Sequence, residues 1–279
     1  MDAFSKRKFK SSLVLFLSSL SAIFGLLWLF LILGTLIVKG VSHISFETVF
    51  GEPPSPGSEE GGLLHAIVGQ FVLVILASLL GIPVGILAGT YAVEYGRGYF
   101  TLFLRELCDV MTSVPSIVIG AFVYAVAVKP FGHFSGISGA ISLAILMIPV
   151  VFKTTEGILS LVPSELREAG YALGATKFNV IKDIVFRYSV NGIVMGVILA
   201  VARIGGETAP LLFTSFNNNF FSLNIFGPIA SLTVTMYDYA MSPYRYWQNL
   251  AWVGAILLTF SVLSANILVK FLAKRKARG

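Results

Sequence analysis

Residues 64–93 read LHAIVGQFVLVILASLLGIPVGILAGTYAV, thirty positions without one Asp, Glu, Lys or Arg. A helix rising 1.5 Å per residue needs about 20 apolar residues to cross ~30 Å of hydrocarbon, and this run is longer. Gly81, Gly85 and Gly89 recur at i, i+4 and i+8. That places them on one face, where small residues let a second helix approach closely. Pro83 kinks such a helix unless neighbouring groups satisfy the freed carbonyl.

The same signature repeats along the chain. Ser11–Val38, Val110–Val128, Pro130–Phe152, Thr208–Tyr237 and Tyr246–Val269 are also free of charge. Of the 279 residues, 56% are hydrophobic and 12% charged, against roughly 25% charged in an ordinary soluble domain. Mean hydropathy is +0.85. The fold class is therefore all-α and membrane-embedded, with about six spans near Leu13–Val38, Leu64–Val93, Val110–Val128, Ile137–Val151, Ser189–Gly205 and Trp247–Val269. Residues 207–246 hold a further uncharged run, but Asn217-Asn-Asn219, Asn224, Gly227 and Pro228 interrupt it. A re-entrant or surface-lying segment is expected there.

The net charge of +6 follows this topology. Of the Lys and Arg residues, four lie within Met1–Lys10, two between Glu94 and Asp109, five between Lys153 and Arg187, and five from Lys270 onward. Lys39, Lys129 and Arg245 fall on the opposite side, and Arg203 falls within the fifth span. The asymmetry matches the positive-inside rule and places both termini in the cytoplasm. Basic residues so distributed face lipid headgroups and not nucleic acid. The first apolar run exceeds a signal-peptide core of about 7–15 residues and lacks a small-x-small cleavage site, so it reads as a retained helix.

Three regions follow. Residues 1–62 comprise a basic N-terminus, the first span and an external loop whose Glu52-Pro-Pro-Ser-Pro-Gly57 and Gly61-Gly62 preclude regular structure. Residues 63–272 form the main transmembrane bundle, and 273–279 a basic cytoplasmic tail. One cysteine, Cys108, excludes an intramolecular disulfide and suits packing. His43, His65 and His133 are too scattered for a metal site. No catalytic constellation and no cofactor are expected.

Two segments carry chemistry. In Val162-Pro-Ser-Glu-Leu-Arg-Glu-Ala-Gly-Tyr-Ala-Leu-Gly-Ala-Thr176, Ser164 is a candidate N-cap with Glu165 in the first turn. Leu166, Ala169, Gly170 and Leu173 form an apolar stripe, Gly174 supplies a left-handed stop, and Thr176 caps a second helix. A short amphipathic helix on the cytoplasmic side suits insertion into a partner's groove; packing on its own bundle is the other reading.

The second segment is Ala202-Arg-Ile-Gly-Gly-Glu-Thr-Ala-Pro-Leu-Leu-Phe-Thr214. An ionisable residue within a span costs about 2.5–3.5 kcal/mol and marks a functional site by default. Arg203 suits bidentate contact with an oxyanion, Gly205-Gly206 can bare backbone N–H groups, and Thr208 adds a hydroxyl. Glu207 lies at i+4, so a continued helix would pair it with Arg203 and leave both structural. Further along the pathway, Ser113 and Ser116 flank Pro115. Either Ser113 or Thr112 caps a helix whose first turn holds Pro115, or the serines line a polar passage.

Glu168-Ala169-x4-Gly174-x9-Ile184 resembles the E-A-A-x3-G-x9-I-x-L-P signature of ABC-importer permeases. Gly170 stands for the second alanine, and Phe186-Arg187 for the final Leu-Pro. Residues 202–214 and Val114-Pro-Ser-Ile-Val-Ile-Gly120 resemble segments of phosphate permeases of the PstA type. The resemblance implies a type-I ABC importer permease whose coupling helix uses Glu165, Leu166, Glu168, Ala169, Gly170, Leu173, Gly174, Ala175 and Thr176. Arg203, Glu207, Thr208, Ser113 and Ser116 become pathway candidates. It also implies a homologous second permease of the PstC type, two copies of a cytoplasmic ATPase that uses ATP and Mg, and an extracytoplasmic phosphate-binding protein. The chain itself holds no G-x-x-x-x-G-K-[ST] phosphate loop. Transport of another oxyanion or small solute is the nearest rival. An intramembrane lipid phosphatase lacks the clustered acid–base groups or metal ligands it would need.

Overall fold

Backbone amides in hydrocarbon have no water to bond, so each apolar run must satisfy itself as a helix. A computed structural model describes the backbone of residues 3–96 and 98–276 and the side chains of 7–96, 98–265 and 267. Within them the chain forms α1 (Ala3–Val41), α2 (Phe46–Phe50), α3 (Leu64–Tyr95), α4 (Tyr99–Ser113), α5 (Ser116–Phe131) and α6 (Gly136–Ser160). There follow α7 (Ser164–Ala172), α8 (Lys177–Ile204), α9 (Ala209–Leu212), α10 (Leu232–Ala240) and α11 (Arg245–Lys276). Among the described residues, five helices are long and apolar enough to span: α1, α3, α6, α8 and α11. The pair α4–α5, bent by 105° at a short break, brings the number to six if it is one broken span.

The glycine face of α3 packs on α6. A β-carbon at Gly81 would stand 3.0 Å from the Met147 sulfur, one at Gly85 would stand 2.6 Å from Val151 Cβ, and one at Gly89 would stand 2.9 Å from the Phe152 carbonyl. Leu73, Ala77, Leu143, Met147, Val151, Ala200, Ile204 and Leu211 close the core around this seam. Pro83 sits inside α3 without ending it. Overpacking such a contact costs about 1–3 kcal/mol. Gly85→Val should therefore lower the melting temperature of the detergent-purified protein, whereas Gly157→Ala, with open space around its position, should not.

Four expectations need correction. The third span does not begin at Val110: α4 already starts at Tyr99, and the chain turns sharply at Val114-Pro115. Neither Ser113 nor Thr112 caps α5. Their hydroxyls bond back to the Val110 and Asp109 carbonyls, and Pro115 itself is the N-cap residue. The fourth helix runs past Val151 to Ser160, because Lys153 and Glu156 find partners on α4 and need no water-exposed loop. The external loop includes one short helix, α2, held by a reciprocal cap between Ser45 and Thr48.

Residues 207–246 contain no span. After α9 the chain is irregular to Ser231, yet Thr214, Ser215, Ile229, Ala230 and Ser231 are buried. The carbonyls of Thr214, Gly227 and Ile225 accept from the amides of Ser135, Gly136 and Ile137 at the start of α6. Ala230 presses on Gly69 of α3. This limb does not span, and its ends are held against α6 and α3 by hydrogen bonds and close packing.

Helix α1 lies apart. Among its described side chains Leu36 and Gly40 are the buried positions, and Gly40 packs on Trp252 and Ile256 of α11. Helix α11 extends through Lys276; the last three residues of the expected basic tail, with Met1 and Asp2, lie outside the described residues.

Candidate functional site

The segment expected to couple to a partner is built from its turn outward. Gly174 adopts φ +79°, a left-handed conformation that costs a residue with a β-carbon. Its amide and that of Ala175 close the turn onto Tyr171 and Gly170 carbonyls. Thr176 caps the next helix by accepting from the Asn179 amide at 3.4 Å. Ser164 is not the cap of α7; Pro163 occupies that place without a side-chain bond, one residue earlier than expected. Glu165 does lie in the first turn.

The apolar stripe divides. Gly170 is buried against Ile184 and Val180, where a β-carbon would lie 2.6 Å from Ile184 Cδ1. It belongs to the seat of α7 on the bundle, not to its outer face. Leu166, Ala169 and Leu173 are exposed with Glu165 and Glu168, and Leu173 is 89% exposed. Ala175 is half-buried in the cluster under the turn.

A residue that sequence reasoning passed over fixes the handle. Arg167 donates from Nη2 to Glu94 Oε1 at 2.7 Å and from Nε to the same oxygen at 3.1 Å. Its other donors reach the carbonyls of Val162 at 2.6 Å and Leu159 at 3.0 Å. The side chains are 19% and 5% exposed. The signal was a cation inside an otherwise exposed amphipathic stretch; its partner lies 73 positions away, beyond any local spacing rule.

The second segment starts where α8 stops. Ile204 is buried, Gly205 caps the helix, and the chain leaves helical geometry before Glu207. Arg203 and Glu207 therefore do not share a helix face, and among the described residues neither is in an ion pair. Arg203 is exposed and Glu207 half-buried. The backbone here is held firmly: Gln70 donates to the Gly205 carbonyl at 3.3 Å, and Thr233 to the Glu207 carbonyl at 3.0 Å.

Thr208 opens onto a cavity of about 540 Å³ shared with Thr233, Tyr237, Gln248 and Trp252. Lys39 Nζ stands 5.0 Å from the centre of the Trp252 ring. Gly120 of α5 packs directly on Pro210, two residues beyond Thr208. Ser116 is half-buried at the start of α5, while the Ser113 hydroxyl is taken by its own helix. Arg203, Glu207 and Thr208 are thus neighbours along one held turn, and among the described residues no hydrogen bond or ion pair joins Ser113 or Ser116 to them. In α10, Asp238 accepts from Asn217 at 2.7 Å; burial pushes its carboxyl up, and the Asn217 amide partly offsets this. Among the described residues no cluster of His, Cys, Asp and Glu could hold a metal ion.

Residues 81–278 match the model of the family described as the binding-protein-dependent transport system inner membrane component. The chain belongs to this family. These permeases are membrane subunits, and the five or six apolar helices agree with a multi-pass position. The chain is 48% identical over 276 residues to the phosphate transport system permease protein PstA of Pasteurella multocida, covering 99% of this chain and 98% of that protein. It is 49% identical over 271 residues to the protein of that name from Haemophilus influenzae, with 97% and 96% covered. Among solved structures, it superposes on a bacterial ABC transporter that imports alginate with TM-score 0.64 at 14% identity, over 96% of this chain and 98% of that one. It superposes on the inward-facing MetNI methionine ABC transporter with TM-score 0.56 at 18% identity, over 77% and 93%. At those identities the likeness fixes the fold, that of a type-I ABC importer permease.

Proposed function

We propose that this chain is one membrane subunit of an ATP-driven importer that carries inorganic phosphate by alternating access. Near-full-length similarity to phosphate permeases carries the substrate reading. The geometry supports it: an exposed arginine with no ion-pair partner among the described residues stands at the end of a span, beside a turn bonded in place from α3 and α10. A guanidinium at membrane depth needs water, a partner or a substrate, and its planar fork fits phosphate oxygens. Arg203 receives the anion, Thr208 adds a hydroxyl, and Glu207 gates the turn.

Both termini lie in the cytoplasm, as the charge asymmetry requires. An extracytoplasmic phosphate-binding protein delivers the substrate, and a homologous second permease of the PstC type completes the pathway. Two copies of a cytoplasmic ATPase hydrolyse ATP with Mg, gripping the exposed face of α7 through Glu165, Leu166, Glu168, Ala169 and Leu173. This chain supplies no hydrolytic chemistry and binds no cofactor. Uptake by the reconstituted importer tests the substrate: labelled phosphate should accumulate, and excess sulfate or molybdate should compete weakly. Accumulation of either of those anions in preference to phosphate would contradict the reading.

A further inference from the structure

Helix α4 is attached to the bundle in an unusual way. Its inner face offers little apolar contact: Cys108 and Leu104 meet Ala88, Ala92 and Phe152. Tyr99, Phe100, Phe103, Leu107 and Val110 are all exposed. What pins the helix is charge. Arg105 bonds Glu156 of α6 at 2.5 Å, and Asp109 pairs with Lys153 one turn higher. Between α4 and α6 lies a cavity of about 650 Å³ bordered by all four of these residues. At its far end α4 meets the two-residue break at Val114-Pro115 and the 105° bend. Proline lacks the amide that would continue a helix across the break.

We propose that these two ion pairs are a cytoplasmic latch, and that α4 swings about Val114-Pro115 when they part, opening the cavity between α4 and α6. The elements on either side of the latch give it a role. Ala92 and Val93 border the cavity and directly precede Glu94, the anchor of α7 through Arg167. Beyond the hinge, α5 carries Gly120, packed on Pro210 beside the Arg203–Thr208 turn. A displaced α7 therefore pulls on the wall of the latch, and a released α4 moves the helix that braces the anion segment. Hinge motions of this kind are absorbed at element ends. The device stands on this chain's own geometry and holds whichever anion is carried.

Cys108, the chain's one cysteine, is 5% exposed on the inner face of α4 and reports the swing. The experiment is the rate of N-ethylmaleimide alkylation of Cys108 in membrane vesicles containing the assembled importer, with Cys108→Ser setting the background. Two partly exposed ion pairs bias a two-state equilibrium by about threefold to thirtyfold, so Asp109→Asn with Glu156→Gln should react at least about threefold faster. Asp109→Lys alone should also react faster, and Asp109→Lys with Lys153→Asp should return to within about twofold of the unsubstituted rate, because the swapped pair restores the attraction. An unchanged rate in the neutralised variant overturns the latch. So does a swapped variant as reactive as Asp109→Lys alone, since that outcome marks general loosening of α4. Uptake is not read here, so failure of the phosphate reading leaves the result intact.

Discussion

Replacing Arg203 by alanine is expected to lower phosphate uptake by at least about a hundredfold, the scale of truncating one partner of a desolvated, charge-assisted contact. The importer should still assemble. Arg203 is exposed and in no ion pair among the described residues, so its loss strands no buried carboxylate within the chain. Arg203→Lys keeps the charge but not the planar fork and should fall between alanine and the unsubstituted protein. Uptake assays on proteoliposomes, beside co-purification of the subunits, separate these outcomes. Normal uptake in Arg203→Ala would make the residue a spectator, and loss of assembly would make it an interface residue.

Removing Arg167 should act at the opposite end of the molecule and leave substrate binding untouched. Arg167→Ala deletes all three bonds to Glu94 and both to the carbonyls that close the start of α7. It strands a carboxylate that is 5% exposed, and breaking a buried pair costs about 3–5 kcal/mol. That is enough to detach a nine-residue helix whose outer face makes no contact with its own chain. Hydrogen exchange over residues 159–176 should accelerate strongly, and ATPase stimulation by the loaded binding protein should vanish. The spanning helices should keep their protection. Arg167→Met combined with Glu94→Leu should recover much of the lost protection, because no charge is then left buried. Unchanged exchange in Arg167→Ala would show that Gly170 packing alone seats the helix.

The sequence exposed those features whose physics is local or one-dimensional. Charge-free runs gave the spans. The glycines of α3 gave the close face, which the structure fills with Met147, Val151 and Phe152. Gly174 and Thr176 were legible because a left-handed stop and an N-cap act within four residues. Features held by distant partners were hidden. Arg167 was only one more basic residue in the charge count until the fold brought Glu94 to it. Lys153 and Glu156 looked like the start of a cytoplasmic loop because nothing nearby announces Asp109 and Arg105. The i, i+4 spacing of Arg203 and Glu207 suggested a pair that the helix end at Gly205 dissolves. The bend at Pro115 was visible as a proline but not as a hinge, since only the packing of α4 on α6 shows that a helix precedes it.

The account depends most on α7 being an inward-facing grip for the ATPase. Leu173, exposed at the end of α7, is the position to interrogate, with Leu173→Cys placed in a Cys108→Ser background. The account predicts that a membrane-impermeant maleimide reaches this thiol in inside-out vesicles and not in intact cells, and that a short bifunctional reagent joins it to the ATPase subunit. Labelling from the exterior of intact cells, or a thiol equally reactive with and without the ATPase and never joined to it, would contradict the account.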